Sequence, residues 1–185
     1  MRSAAIKGSR WAVAIGGFRS VDVVDAKGLI RRVSEAAAPG EAQLLDADRV
    51  AGWEHLRMAA VNAAKRTENR TASSRSLAVE TLLTASCQDQ ITRGIEMLGL
   101  TRQTRNLALV VIAEERLGAE EAYDRASGEL KYGDDSVLDV TPEKLKAIRE
   151  FFGVTGPELE SVGGDPSAAL TGILVERGAL LGLGS

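Results

Sequence analysis

The chain is poor in the residues from which most active sites and most stapled folds are made. Its 185 residues include one histidine and one cysteine. No internal disulfide can form, and thiols and imidazoles are too few to assemble a zinc site. Aromatic residues amount to 4%, which argues against an RNA reader built from stacked surface rings. Four prolines in the whole chain leave no proline-rich linker. No apolar run approaches the ~18 residues that a membrane-spanning helix needs. Neither sign of charge dominates: 23 basic residues face 26 acidic ones, for a net charge of −3, so bulk attraction to polyanions is excluded. Arg2, Lys7 and Arg10 precede a short apolar piece at 11–15, but that piece is shorter than the core of a secretory signal. With one unpaired cysteine, this predicts a cytoplasmic protein with no membrane attachment.

What is present suits one globular unit. Hydrophobic residues make up 44%, enough for a single substantial core, and one domain over 1–185 is expected. Residues 11–15 read as a strand closed by Gly16-Gly17. Asp25 caps a helix carrying Leu29, Ile30, Val33 and Ala37, which Pro39-Gly40 ends. Residues 42–45 form a weak strand. A long helix is expected from Asp48 to about Glu68, with Leu56, Ala59, Ala60, Ala63 and Ala64 on one face. Its alanine-rich stripe predicts close approach of another backbone. Turn formers at 69–76 interrupt the pattern. Two helices follow, the second with Ile91, Ile95 and Leu98 inward and Gly99 as its stop. Residues 107–112 are the clearest strand, buried on both faces. A helix over about 118–126 and an edge strand near 137–140 come next. Thr141-Pro142-Glu143, Thr155-Gly156-Pro157-Glu158 and Asp165-Pro166 all start helices through a capping oxygen and an early proline. The fold class is therefore α/β (α+β): a helix-rich domain with a small mixed sheet.

Catalytic signals are scarce. There is no phosphate-cradling Walker loop and no dinucleotide fingerprint, so no cofactor and no metal is expected. The acidic pairs Glu114–Glu115, Glu120–Glu121 and Asp134–Asp135 are adjacent in sequence, so their side chains diverge and do not form a shared acid–base dyad. His55, between Trp53 and Leu56 on a helix, reads as structural. The alternative function class is a small-molecule enzyme in which Cys87 and His55 act as nucleophile and base. A second alternative is a protein–protein adaptor without RNA contact.

Charge is unevenly distributed. Residues 57–75 hold Arg57, Lys65, Arg66, Arg70 and Arg75 against Glu68 alone, a local balance of +4. That balance persists to residue 105, leaving −7 on the rest of the chain. A basic middle on an acidic molecule suits a local polyanion site with repulsion elsewhere.

The order of short motifs is also distinctive. Residues 56–66 (Leu-Arg-Met-Ala-Ala-Val-Asn-Ala-Ala-Lys-Arg) are followed by Asn69-Arg70, then Ser76-Leu77-Ala78-Val79-Glu80-Thr81-Leu82-Leu83, Ala85-Ser86, Gln90-Ile91 and the strand at 107–112. The end of the chain carries Val175-Glu176-Arg177-Gly178-Ala179-Leu180-Leu181. Together these resemble the CGI/TPRKB family of PRPK-binding proteins, the small regulatory subunit of the KEOPS complex. The family pattern has Ala-Ser-Gly-x-Arg-Gln-Ile where this chain reads Ala85-Ser86-Cys87-Gln88-Asp89-Gln90-Ile91. The loss of that glycine predicts a position with no need for positive φ, and Asp89 replaces a basic residue, with Arg93 one turn on as its substitute.

The resemblance implies a non-catalytic subunit of the machinery that installs threonylcarbamoyladenosine (t6A) in tRNA. Such a subunit binds the complex's small atypical kinase/ATPase and recruits tRNA through its single-stranded 3′ CCA tail. On this basis the tRNA-binding residues are Lys65, Arg66, Asn69, Arg70, Arg75, Ser86, Gln90 and Arg93, with helix N-termini adding oriented N–H groups. The kinase-subunit interface is assigned to the last helix, through Leu170, Ile173, Leu174, Val175, Leu180 and Leu181, which are more apolar residues than one buried stripe requires.

Overall fold

A computed structural model describes residues 1–181. Strands β1 (Arg2–Ala5) and β2 (Trp11–Phe18) form a hairpin, and α1 (Ala26–Ala37) leads to β3 (Glu41–Asp46). Three helices follow: α2 (Gly52–Glu68), α3 (Leu77–Ser86) and α4 (Ile91–Leu98). The chain then re-enters the sheet as β4 (Leu107–Glu114) and ends in α5 (Arg116–Ser127), α6 (Pro142–Phe151), α7 (Gly156–Val162) and α8 (Pro166–Ala179).

The α/β class is as the sequence implied, but the sheet is purely antiparallel rather than mixed. Its order is β1-β2-β4-β3, and all three ladders are antiparallel. The crossover through α1 leaves β2 and β3 running the same way with a gap between them, and β4 fills the gap in the opposite sense. Side chains of β4 therefore alternate between two cores. Ala108, Val110 and Ile112 pack with Leu56, Ala60, Leu82, Leu170 and Leu174 of α2, α3 and α8. Leu107, Leu109, Val111 and Ala113 pack with Leu29, Val33, Ala119 and Ala122 of α1 and α5. Burial on both faces is why this strand reads as one continuous apolar run.

The caps form where the sequence places them. Asp25 accepts from the Gly28 N–H at 3.0 Å, Asp165 from Ala168 at 2.9 Å, and the Thr155/Glu158 box closes in both directions at 3.3 Å.

Several local expectations are corrected. Residues 2–5 form an edge strand that the sequence does not announce. Strand β2 runs through Gly16-Gly17 instead of stopping there. A Cβ on Gly16 would lie 2.0 Å from the Tyr123 hydroxyl, and one on Gly17 would lie 2.6 Å from the Asp134 carbonyl, so these glycines admit neighbours rather than a turn. The edge strand expected near 137–140 is a one-turn 3-10 helix, Asp135–Leu138. Here the Asp134 carboxylate takes the Ser136 N–H at 2.9 Å and the Asp135 carboxylate takes the Gly17 N–H at 3.0 Å, a local solution that competes with pairing. Helix α2 starts at Gly52 (φ +85°) rather than at Asp48, after a separate short turn. Ile91 and Ile95, expected inward, are 45% and 53% exposed. Helix α4 seats Gly94 and Leu98 instead, because Gly94 lies close against Ser86 and Leu83.

Candidate RNA and kinase interfaces

The alanine face of α2 brings α3 close, and Thr84 on α3 donates to the Ala59 carbonyl at 2.9 Å. Around the turn between the two helices, the sequence-assigned residues separate into different roles. Lys65, Asn69, Arg70 and Arg75 are exposed, and Arg70 holds a left-handed φ of +60°. Among the described residues, Lys65, Arg70, Arg75 and Arg93 enter no ion pair.

Arg66 does not join them. It is 8% exposed and its Nε donates to Glu80 Oε1 at 2.5 Å, with Glu80 wholly buried. The other arms of the guanidinium reach the Ser73 hydroxyl at 3.3 Å and the Leu181 carbonyl. The second Glu80 oxygen takes the N–H groups of Ser73 and Ser74, each at 3.0 Å. This pair builds the cation-bearing loop and is itself unavailable to a phosphate. Removing one partner would strand a buried charge, at a cost of about 3–5 kcal/mol.

Ser86 is also corrected. It is fully buried, its hydroxyl donating to the Leu83 carbonyl at 3.1 Å, so it presents nothing to a surface ligand. The N-terminus of α3 is closed as well. Ser76 takes the Val79 N–H at 3.3 Å, and Glu41 of β3 takes the Ala78 N–H at 3.1 Å. Helix α4 differs, because no side chain caps its start, where Gln90 and Arg93 are exposed. The ten residues of α3 span about 15 Å along its axis, with Lys65, Asn69, Arg70 and Arg75 preceding its start in the chain and Gln90 and Arg93 following its end. Of the eight residues expected on one ledge, Lys65, Asn69, Arg70, Arg75, Gln90 and Arg93 are exposed, and Arg66 and Ser86 are buried.

The α8 assignment divides in the same way. Leu170, Ile173 and Leu174 lie in the core, at 0%, 6% and 0% exposure, while Val175 and Leu181 are half-buried and Leu180 is exposed. Gly178 explains the tight seat of the helix: a Cβ there would lie 2.3 Å from the Thr84 carbonyl oxygen. Leu180 borders an open groove of about 630 Å³ lined by Met97, Phe151, Cys87 and Gln88. Phe151, 40% exposed with the Arg49 guanidinium 4.9 Å from its ring centre, is a surface aromatic that the sequence reading passed over. The signal was the Phe151-Phe152 pair at a helix end, of which only Phe152 is needed inside.

His55 and Cys87 are not assembled into a nucleophile–base pair. His55 Nδ1 accepts the Ala51 N–H at 3.1 Å, Nε2 has no hydrogen-bond partner among the described residues, and burial drives the ring pKa down to about 4. Cys87 Sγ rests 3.3 Å from the Leu174 carbonyl, and burial raises the thiol to about 11, where it is a poor nucleophile. Cys87 also corrects the reading of the missing glycine. Its φ is +55°, so the position does require the left-handed conformation and a cysteine adopts it.

Residues 20–180 match the family described as "Kinase binding protein CGI-121". "Regulatory protein Cgi121" of Methanocaldococcus jannaschii is 34% identical over 114 residues, covering 62% of this chain and 71% of that protein. The matched span takes in α2, α3, α4 and α8, the helices on which both candidate surfaces lie, and the chain belongs to the kinase binding protein CGI-121 family.

Proposed function

We propose that the chain is a regulatory, kinase-binding subunit of the KEOPS t6A machinery that recruits tRNA by its single-stranded 3′ CCA tail. The family name supports the kinase partner. The RNA half rests on one observation above all. Among the described residues, Lys65 in the last turn of α2 and Arg70 and Arg75 on the loop after it stand free of ion pairs beside the buried Arg66–Glu80 pair that holds that loop, on a molecule whose net charge is −3. A few fixed cations on an otherwise repelling surface suit a short tail better than a duplex. In this reading Lys65, Arg70, Arg75 and Arg93 meet phosphates, and Asn69 and Gln90 meet base edges or ribose hydroxyls. The kinase takes the outer side of α8 through Val175, Leu180 and Leu181. The chemistry belongs to partner subunits, and the chain works in the cytoplasm.

The test is binding of tRNA with and without its CCA end, titrated across salt. Arg70→Glu with Arg75→Glu should weaken binding at least tenfold and flatten the log K against log salt slope by roughly 1.4, the share of two single-strand phosphate contacts. Unchanged affinity in the folded double variant would remove the site, equal binding to the clipped tRNA would refute recognition of the CCA tail, and binding of neither tRNA would favour an adaptor. Val175→Asp or Leu180→Asp should abolish co-purification with the kinase subunit and spare RNA binding.

A further inference from the structure

We propose that Arg66 couples the two surfaces, so that a kinase subunit seated on the end of α8 tightens the 69–76 loop and strengthens its grip on a single-stranded polyanion. This rests on the surfaces assigned above and adds their linkage. A guanidinium is a rigid fork of five donors, and here its arms are divided between elements distant in sequence. One arm holds Glu80 at 2.5 Å, one the Ser73 hydroxyl at 3.3 Å, and one the Leu181 carbonyl. Through Glu80 the same group fixes the Ser73 and Ser74 backbone, and through its own carbonyl Arg66 accepts the Thr71 N–H at 2.9 Å.

The loop and the end of α8 therefore share one cation, and both it and Glu80 are shielded from the water that would otherwise replace a lost contact. Leu181 lies beyond the last helical residue, where carbonyls lack intrahelical partners, and its neighbour Leu180 projects 54% exposed into the kinase surface. A partner that grips Leu180 restrains the adjacent carbonyl and, with it, the orientation of the fork. The two states are the loop closed on Glu80 and the loop released. A ligand shifts them only by its difference in affinity between the two, and the shift is reciprocal.

Hydrogen exchange at the Ser73 and Ser74 amides, in the full chain alone and saturated with its kinase subunit, tests this. Slowing of about fivefold or more is expected on kinase binding, the lower bound of ordinary coupling. None is expected in Arg66→Lys, which keeps a charge beside Glu80 but loses the fork. If that variant does not fold, Arg66→Met combined with Glu80→Gln removes both charges together and is expected to show no slowing either. Unchanged exchange in the wild type, or equal slowing in the variant, overturns the coupling. Kinase binding that survives Val175→Asp and Leu180→Asp overturns the surface assignment instead, so the two failures are separable.

Discussion

His55 makes a sharp prediction, because it is the only histidine and it is sealed between α2, α3 and Phe152. Its neutral ring accepts the Ala51 N–H, and burial holds its pKa near 4 against an ordinary 6.5. Below pH 6.5 the unfolded chain binds a proton that the folded chain refuses, so stability is complete above that pH and falls as pH drops toward 4. The slope approaches 1.4 kcal/mol per pH unit, giving a loss of about 2 kcal/mol by pH 5 and on the order of 3 kcal/mol by pH 4. One other shifted group titrates beside this window: burial raises the Asp46 carboxyl above its ordinary 3.8, so it adds stability as pH falls, opposite in sign to His55 and common to the wild type and the variant below. Lys144, held down to about 8 by burial, is protonated in both states below neutrality, and its effect on stability lies between pH 8 and 10.5. The carboxylates held low by hydrogen bonds (Glu120, Asp134, Glu143 and Glu158) act only below about pH 4.5. Urea unfolding at pH 7.5, 6.0 and 5.0 should therefore show the slope in the wild type, and His55→Gln should abolish it. Superimposed slopes for the two proteins would refute the assignment of His55 as a buried neutral ring.

Cys87→Gly should be at least as stable as the wild type in the same assay, because glycine relieves the left-handed φ. Cys87→Val should fall about 1–2 kcal/mol below the glycine variant, and equal stability of the two would contradict the backbone argument. Gly178→Ala should cost about 1–3 kcal/mol by forcing α8 away from the Thr84 carbonyl, read as a lower urea midpoint, and should weaken kinase binding as the helix shifts. A wild-type midpoint would show that the α3–α8 approach is looser than described.

How much was legible in the sequence differed by kind of signal. Capping devices at Asp25, Thr155 and Asp165 were readable because a side-chain oxygen and a backbone N–H three residues on are all they need. The run at 107–112 announced a strand buried on both faces because each residue had to be apolar. The motif order that pointed to the family was likewise local. What failed needed a partner from elsewhere. Ile91 and Ile95 have helical spacing with Leu98, but Gly94 decides which side of α4 touches α3. Ser86 and Arg66 belong to polar types that suit an RNA surface, yet one faces the Leu83 carbonyl and the other a carboxylate fourteen residues away. Leu170, Ile173 and Leu174 are indistinguishable in sequence from Leu180, and only their neighbours in α2 and α3 make them core.

By itself, then, the sequence determined the helical segments and their caps, the central strand and the uneven charge, all of which depend on residues within one or two turns of each other. Only the tertiary structure decided which cation is buried and which is free, which face of α8 is core, and that Ser86 turns inward. Each of those depends on what lies opposite a side chain, and that is fixed by packing between segments as far apart as Arg66 and Leu181.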